Sequence, residues 1–216
     1  MTTSPRIALI HALKHSIAAI EAAFAKAWPE ARLMNLLDDS LSSDLARDGK
    51  LNDAMTERFL ALGHYAAATG ADAILFTCSA FGPCIEAVAR AQAPMPVLKP
   101  NEAMIERAVT MGQRIGLLST FAPTLASMPP EFPPAVQVVP KLAEGALAAL
   151  DRGDRATHDR LIVEASHDLR DCDVIALAQF SNAATAPLVA EATGRPVVTT
   201  PDSAVEKLMK LLAARA

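Results

Sequence analysis

Short apolar runs bounded by small polar or turn-forming residues recur along the whole chain. Between them lie longer segments in which apolar positions return every three or four residues. The runs at 6–10, 32–37, 73–76, 97–99, 114–119, 136–139, 174–178 and 197–199 have strand length. Unbroken ones such as Ala73-Ile74-Leu75-Phe76 suit parallel strands covered on both faces. The periodic segments predict helices from about 16 to 28, 51–69, 83–92, 101–111, 142–150, 154–169 and from about 201 onward. Shorter helical turns are expected at 41–50 and 120–126, a further helix opens near Pro187, and 128–134 reads as a proline-rich loop. Gly70 and Gly112 stand where helices should stop, Asn101 where one should be capped, and Pro83 in a first turn. Strands alternating with helices throughout imply an α/β fold of parallel sheets joined by right-handed crossovers.

The pattern also repeats. Asp72 and Asp173 each open a buried strand that runs into a small polar turn and a helix, with Gln179 at the place of Cys78. Arg6-Ile-Ala-Leu-Ile matches Arg114-Ile-Gly-Leu-Leu, and Pro96-Val97-Leu98 matches Pro196-Val197-Val198. Landmarks in the same order at nearly constant offset point to two related four-stranded halves rather than one eight-stranded sheet.

Composition narrows the function. A chain of 216 residues, 51% hydrophobic and 20% charged, can bury a substantial core. Its net charge of −4, with no basic run, argues against a nucleic-acid partner. No stretch reads as a membrane span or a leader, so a cytoplasmic protein without a membrane role is expected. Three cysteines make neither a disulfide framework nor a metal set, and His11 follows its strand too directly to share a helix with His15, so no metal is expected. Neither a Gly-x-Gly-x-x-Gly turn nor a phosphate-binding Gly-rich loop with Lys follows any strand, so no nucleotide cofactor is expected.

What gathers at the predicted strand ends is a set of small hydrogen-bonding residues: His11 and Ser16, then Thr77, Cys78 and Ser79, and in the second half Ser119, Thr120, Gln179, Ser181 and Asn182. Ligands of open α/β sheets bind at such ends, where helix N-termini present unpaired N–H groups. A small organic acid is the expected ligand. Cys78, beside the helix opening near Pro83, is expected to have a depressed pKa and to act as acid/base or nucleophile. His11 is the candidate second proton carrier, the alternative being a loop histidine bonded to backbone. Cys84 reads as core and Cys172 as structural. His64, His158 and His167 read as surface residues, and Asp38-Asp39 as a turn.

The segment Ile74-Leu-Phe-Thr-Cys-Ser-Ala-Phe-Gly82, with its counterpart about a hundred residues later, resembles the aspartate/glutamate/hydantoin racemase superfamily, which also holds arylmalonate decarboxylase and maleate isomerase. The resemblance implies two pseudo-symmetric Rossmann-like α/β domains, 1–98 with 201–216 and 99–200, and a cofactor-independent active site between them. It also implies a homodimer. In racemases of this kind a cysteine from each half stands on either face of the substrate's α-carbon. Cys78 matches the first, but Gln179 replaces the second, and a carboxamide has no usable acid or base. A racemase or isomerase acting at the α-carbon of a small carboxylic acid is therefore expected, with a one-cysteine decarboxylase or lyase, or a non-catalytic carboxylate-binding protein, as alternatives. Carried over by position, the backbone of Ser79 and Ala80, with Thr77, Ser119, Thr120, Gln179 and Ser181, would bind the substrate.

Overall fold

The computed structural model describes residues 4–215 and contains two parallel four-stranded sheets flanked by helices. One compact unit runs to Pro100 and takes back the chain from Ala204 onward; the other is Asn101–Ser203. The first unit holds β1 (Arg6–His11), α1 (His15–Ala27), β2 (Arg32–Leu37), α2 (Ser40–Asp48), α3 (Asp53–Ala68), β3 (Ala73–Phe76), α4 (Gly82–Ala91) and β4 (Val97–Leu98). The second holds α5 (Glu102–Met111), β5 (Arg114–Ser119), α6 (Ala122–Ser127), β6 (Gln137–Leu142), α7 (Ala146–Asp151), α8 (Arg155–Ser166), β7 (Val174–Leu177), α9 (Ala186–Thr193) and β8 (Val197–Thr199). α10 (Thr200–Ala213) begins in the second unit and ends in the first.

Both sheets have the same order, β2-β1-β3-β4 and β6-β5-β7-β8. This order explains the apolar pattern. The unbroken runs of β3 and β7 are central and fully buried, whereas the mixed sequences of β2 and β6 lie at the edges and stay partly exposed. The registers correspond too: Ile7 pairs with Ala73 and Ile10 with Phe76, as Ile115 pairs with Val174 and Leu118 with Leu177. Asp72 and Asp173 do the same job in each half, accepting the backbone N–H of Arg6 at 2.7 Å and of Arg114 at 2.8 Å. Each carboxylate thereby ties the start of one central strand to the start of the next.

The core of the first unit packs Ala8, Ile10, Ile74 and Phe76 of the sheet against Phe59 and Ala66 of α3 and Ile85 and Val88 of α4. Asn52 caps α3, its side chain accepting the Met55 N–H at 2.9 Å, and Gly70 follows its end at φ 77, a left-handed conformation that glycine adopts without steric cost.

Four local expectations change. Asn101 precedes α5 in helical conformation and its side chain makes no cap hydrogen bond. The strand expected at 136–139 is β6, Gln137–Leu142, and continues through Pro140. A proline is tolerated there because an edge strand leaves one side of its backbone unpaired. The helix expected at 142–150 starts only at Ala146, after Gly145 in a left-handed conformation. His158 is not on the surface: it is buried, and its Nδ1–H donates to Asp159 Oδ1 at 2.7 Å. α8 packs against α7 and α9, so a locally polar sequence is covered by its neighbours.

Candidate active site

The two central strands of each unit end side by side, which brings His11 to Thr77 in the first unit and Ser119 to Gln179 in the second. By register His11 is equivalent to Ser119 and Cys78 to Gln179, because β1 matches β5 and β3 matches β7.

In the first unit the Thr77 N–H donates to the Ile10 carbonyl at 3.0 Å and carries the strand pairing one residue past β3. Cys78 follows in extended conformation, then a 3-10 turn over Ser79–Phe81, and α4 begins at Gly82. Two donors reach the Cys78 sulfur: the backbone N–H of Ala80 and the Ser42 hydroxyl. Ser42 lies on α2 and also approaches the Ala12 carbonyl at 3.2 Å. Burial outweighs both donors and pushes the thiol up to about 11. This corrects the expectation of a depressed pKa. The intervening 3-10 turn separates Cys78 from the first turn of α4, and the helix dipole acts only near that turn. Near neutral pH Cys78 is a thiol, a proton donor rather than a base. Alkylation by iodoacetamide should therefore be slow near neutral pH and rise toward pH 11, the reverse of an activated thiolate; fast modification at neutral pH would contradict the burial argument.

His11 is the last residue of β1 rather than part of a loop, is fully buried, and both ring nitrogens are engaged. Nε2 lies 2.9 Å from Asn35 Oδ1, and Asn35 Nδ2 donates to Glu21 Oε1 at 2.8 Å. The Asn35 oxygen therefore faces the ring, so Nε2 carries the hydrogen and Nδ1 accepts from the Thr77 hydroxyl at 2.8 Å. Burial lowers the His11 pKa, outweighing the Asn35 hydrogen bond and the Glu21 charge, both of which raise it. In this geometry the His11 ring bridges Asn35 and the Thr77 hydroxyl.

A stability prediction follows from the sign of that shift. The unfolded chain titrates His11 near 6.5 and the folded chain below it. Folding then releases a proton from this residue in the interval between, so its contribution is complete above 6.5 and is lost as pH falls through that window. Thermal melts of wild type and His11→Gln across it should show a steeper acid loss in wild type; parallel profiles would refute the assignment.

In the second unit Gln179 Oε1 is surrounded by donors. It accepts the Thr120 N–H at 2.6 Å and the Thr120 hydroxyl at 2.8 Å, with the Ser119 hydroxyl at 2.9 Å and Asn182 Nδ2 at 3.3 Å. Ser119, Thr120 and Asn182 are all buried. Ser181 does not join them, its hydroxyl instead approaching Asn182 Oδ1 at 3.3 Å. The hydroxyls of Thr77, Ser119, Thr120 and Ser181, expected to bind substrate, each lie within hydrogen-bond distance of another side chain. Ser42 and Asn182 are the additions. Asn182 stood at the predicted strand end, but Ser42 lay in a segment read only as a helical turn, and nothing local marked it as a partner of Cys78.

Asp38 behaves as the turn residue expected. Its Oδ1 accepts from the Ser40 hydroxyl at 2.6 Å, and Oδ2 accepts from Arg58 at 2.6 Å. Cys84 and Cys172 are buried in their respective cores, as read. Among the described residues no three His, Cys, Asp or Glu side chains are grouped to hold a metal ion, and no helix is long and apolar enough to cross a membrane.

Two central strand ends per unit, a cysteine on one and its register equivalent on the other, within duplicated 2-1-3-4 sheets, define a class that comparison makes specific. The Asp/Glu/hydantoin racemase family model matches residues 12–208, and the chain belongs to that family. Comparison with curated protein sequences finds no match. Among solved structures, the chain is similar to a glutamate racemase from Bacillus anthracis (11% identity, 99% of this chain and 84% of that chain, TM-score 0.75). It is similar to an allantoin racemase from Klebsiella pneumoniae (18% identity, 98% and 89%, TM-score 0.74) and to arylmalonate decarboxylase (18% identity, 96% and 92%, TM-score 0.65). At these identities the structural likeness is one of fold. Membership of the family supports an enzyme of racemase/isomerase type.

Proposed function

We propose that the protein is a cofactor-independent enzyme of racemase/isomerase type that moves a proton at the α-carbon of a small carboxylic acid, with Cys78 as its acid/base or nucleophile. One observation carries the reading. Of the side chains at the central strand ends, Cys78 is the one that carries a titratable thiol, set beside the Ala80 N–H and the Ser42 hydroxyl, whereas His11 is engaged at both nitrogens and Gln179 has no proton to trade. Backbone donors at Ser79 and Ala80 would hold the substrate from the Cys78 turn, the Ala80 N–H being shared between the substrate and the Cys78 sulfur. The hydroxyls of Thr77, Ser119, Thr120 and Ser181 would set the positions of the groups that touch it.

A second reading is favoured by the protonation state of the thiol. Two-base racemisation needs a thiolate on one face and a thiol on the other, and here the position of the second unit equivalent to Cys78 carries a carboxamide, Gln179. Loss of carbon dioxide from a malonate-type acid leaves an enediolate; the Cys78 S–H gives its proton to the carbon, and solvent then reprotonates the thiolate. A one-cysteine decarboxylase or lyase therefore uses the same residue in the state that burial dictates.

Proton NMR in D2O with aspartate, glutamate, a hydantoin, maleate and an arylmalonate tests both readings. Deuterium entering an α-carbon without other change supports the isomerase reading, and conversion to the monoacid supports the decarboxylase. Binding of an acid with neither outcome, unchanged in Cys78→Ala, would instead identify a carboxylate-binding protein.

A further inference from the structure

The carboxamide of Gln179 is held in one orientation. The Thr120 N–H is an obligate donor and lies 2.6 Å from the side-chain oxygen, so the atom facing it cannot be the amide nitrogen. A second short bond from the Thr120 hydroxyl fills the two lone pairs of that oxygen, and Ser119 and Asn182 stand by at 2.9 and 3.3 Å. Every group around the oxygen donates, so turning the amide over would set N–H against N–H. The Nε2 end is thereby pointed away from the cluster, and its two hydrogens have no partner among the described residues.

We propose that Gln179 is a fixed oxyanion donor: its anchored carboxamide presents two N–H groups to a carboxylate or enediolate oxygen of the substrate, where it stabilises negative charge and delivers no proton. The proposal rests on the reading that the substrate is a small carboxylic acid. It assigns the second unit a distinct role, since a preorganised donor pair stabilises charge without reorganising during the reaction. Ser119, Thr120 and Asn182 are positioning residues that act through Gln179.

The test uses the full chain with 15N-labelled glutamine side chains and malonate or succinate as the probe. The Gln179 NH2 signals, assigned by their loss in Gln179→Glu, should move as either diacid is added, in wild type and equally in Cys78→Ser. By calorimetry, Gln179→Glu and Gln179→Met should bind the probe about ten- to a hundredfold more weakly, as expected for lost hydrogen bonds to a charged group. Gln179→Glu should keep its Tm, because a carboxylate accepts from the same donors; this separates a donor role from a structural one. NH2 signals that neither diacid moves, or a Gln179→Glu protein that binds as wild type does, would overturn the assignment. Failure of the Cys78 reading looks different: the signals move with the probe, but no α-carbon exchange depends on Cys78.

Discussion

Alanine at position 78 should lower α-carbon exchange or conversion of the substrate by about two to four orders of magnitude, the usual contribution of a positioned acid or base, and leave carboxylate binding nearly intact. The expectation rests on division of labour. Cys78 has the transferable proton, while the groups that would hold the carboxylate from the same turn are backbone amides of the 3-10 segment. Cys78→Ser tests the same point more gently, because a serine hydroxyl keeps the size and the contacts to Ala80 and Ser42 but is a far weaker acid. If rates at saturating substrate fall in both variants with little change in KM, the thiol acts in the transition state. A Cys78→Ala protein with wild-type rates would remove the residue from the chemistry.

Phe59→Ala should produce the largest loss of stability, about 3–5 kcal/mol as for other buried aromatic truncations. Phe59 lies on α3 with only 2% of its surface exposed, and its ring stacks on Phe76 at 5.3 Å and packs on Phe81 at 4.9 Å. Phe76 ends β3 and Phe81 ends the 3-10 turn, so the two rings bracket the turn from Thr77 to Ala80. Removing their shared partner opens a cavity in the cluster against which Cys78 packs. Urea unfolding should show the loss, and iodoacetamide should reach Cys78 faster in the variant under native conditions. A loss below about 1 kcal/mol, within the range of ordinary surface changes, would mean that the turn is held by something other than this aromatic cluster.

Much of this architecture was legible in the chain. Unbroken apolar runs located β3 and β7, and their shared offset from Asp72 to Asp173 revealed the duplication, because burial on both faces of a parallel sheet leaves a strand few alternatives. The misread segments have local reasons. Pro140 and Lys141 hid the continuation of β6, and the polar surroundings of His158 hid its burial. The candidate site was legible as a set of positions but not as a set of roles. Thr77, Ser119, Thr120 and Ser181 were correctly placed near the strand ends, yet their hydroxyls lie within hydrogen-bond distance of His11, Gln179 and Asn182.

By itself the sequence determined the strands, the helices, the two related halves and the residues that stand at the ends of the central strands. These follow from hydrophobic period and turn chemistry, which act over a few neighbouring residues. The tertiary structure decided the state of each group there. The His11 ring meets Asn35 and Thr77, 24 and 66 residues away, and the Gln179 oxygen meets Ser119 and Thr120, 60 and 59 residues away. Burial sets the protonation of Cys78, and burial is a sum over elements that come together only in the folded chain.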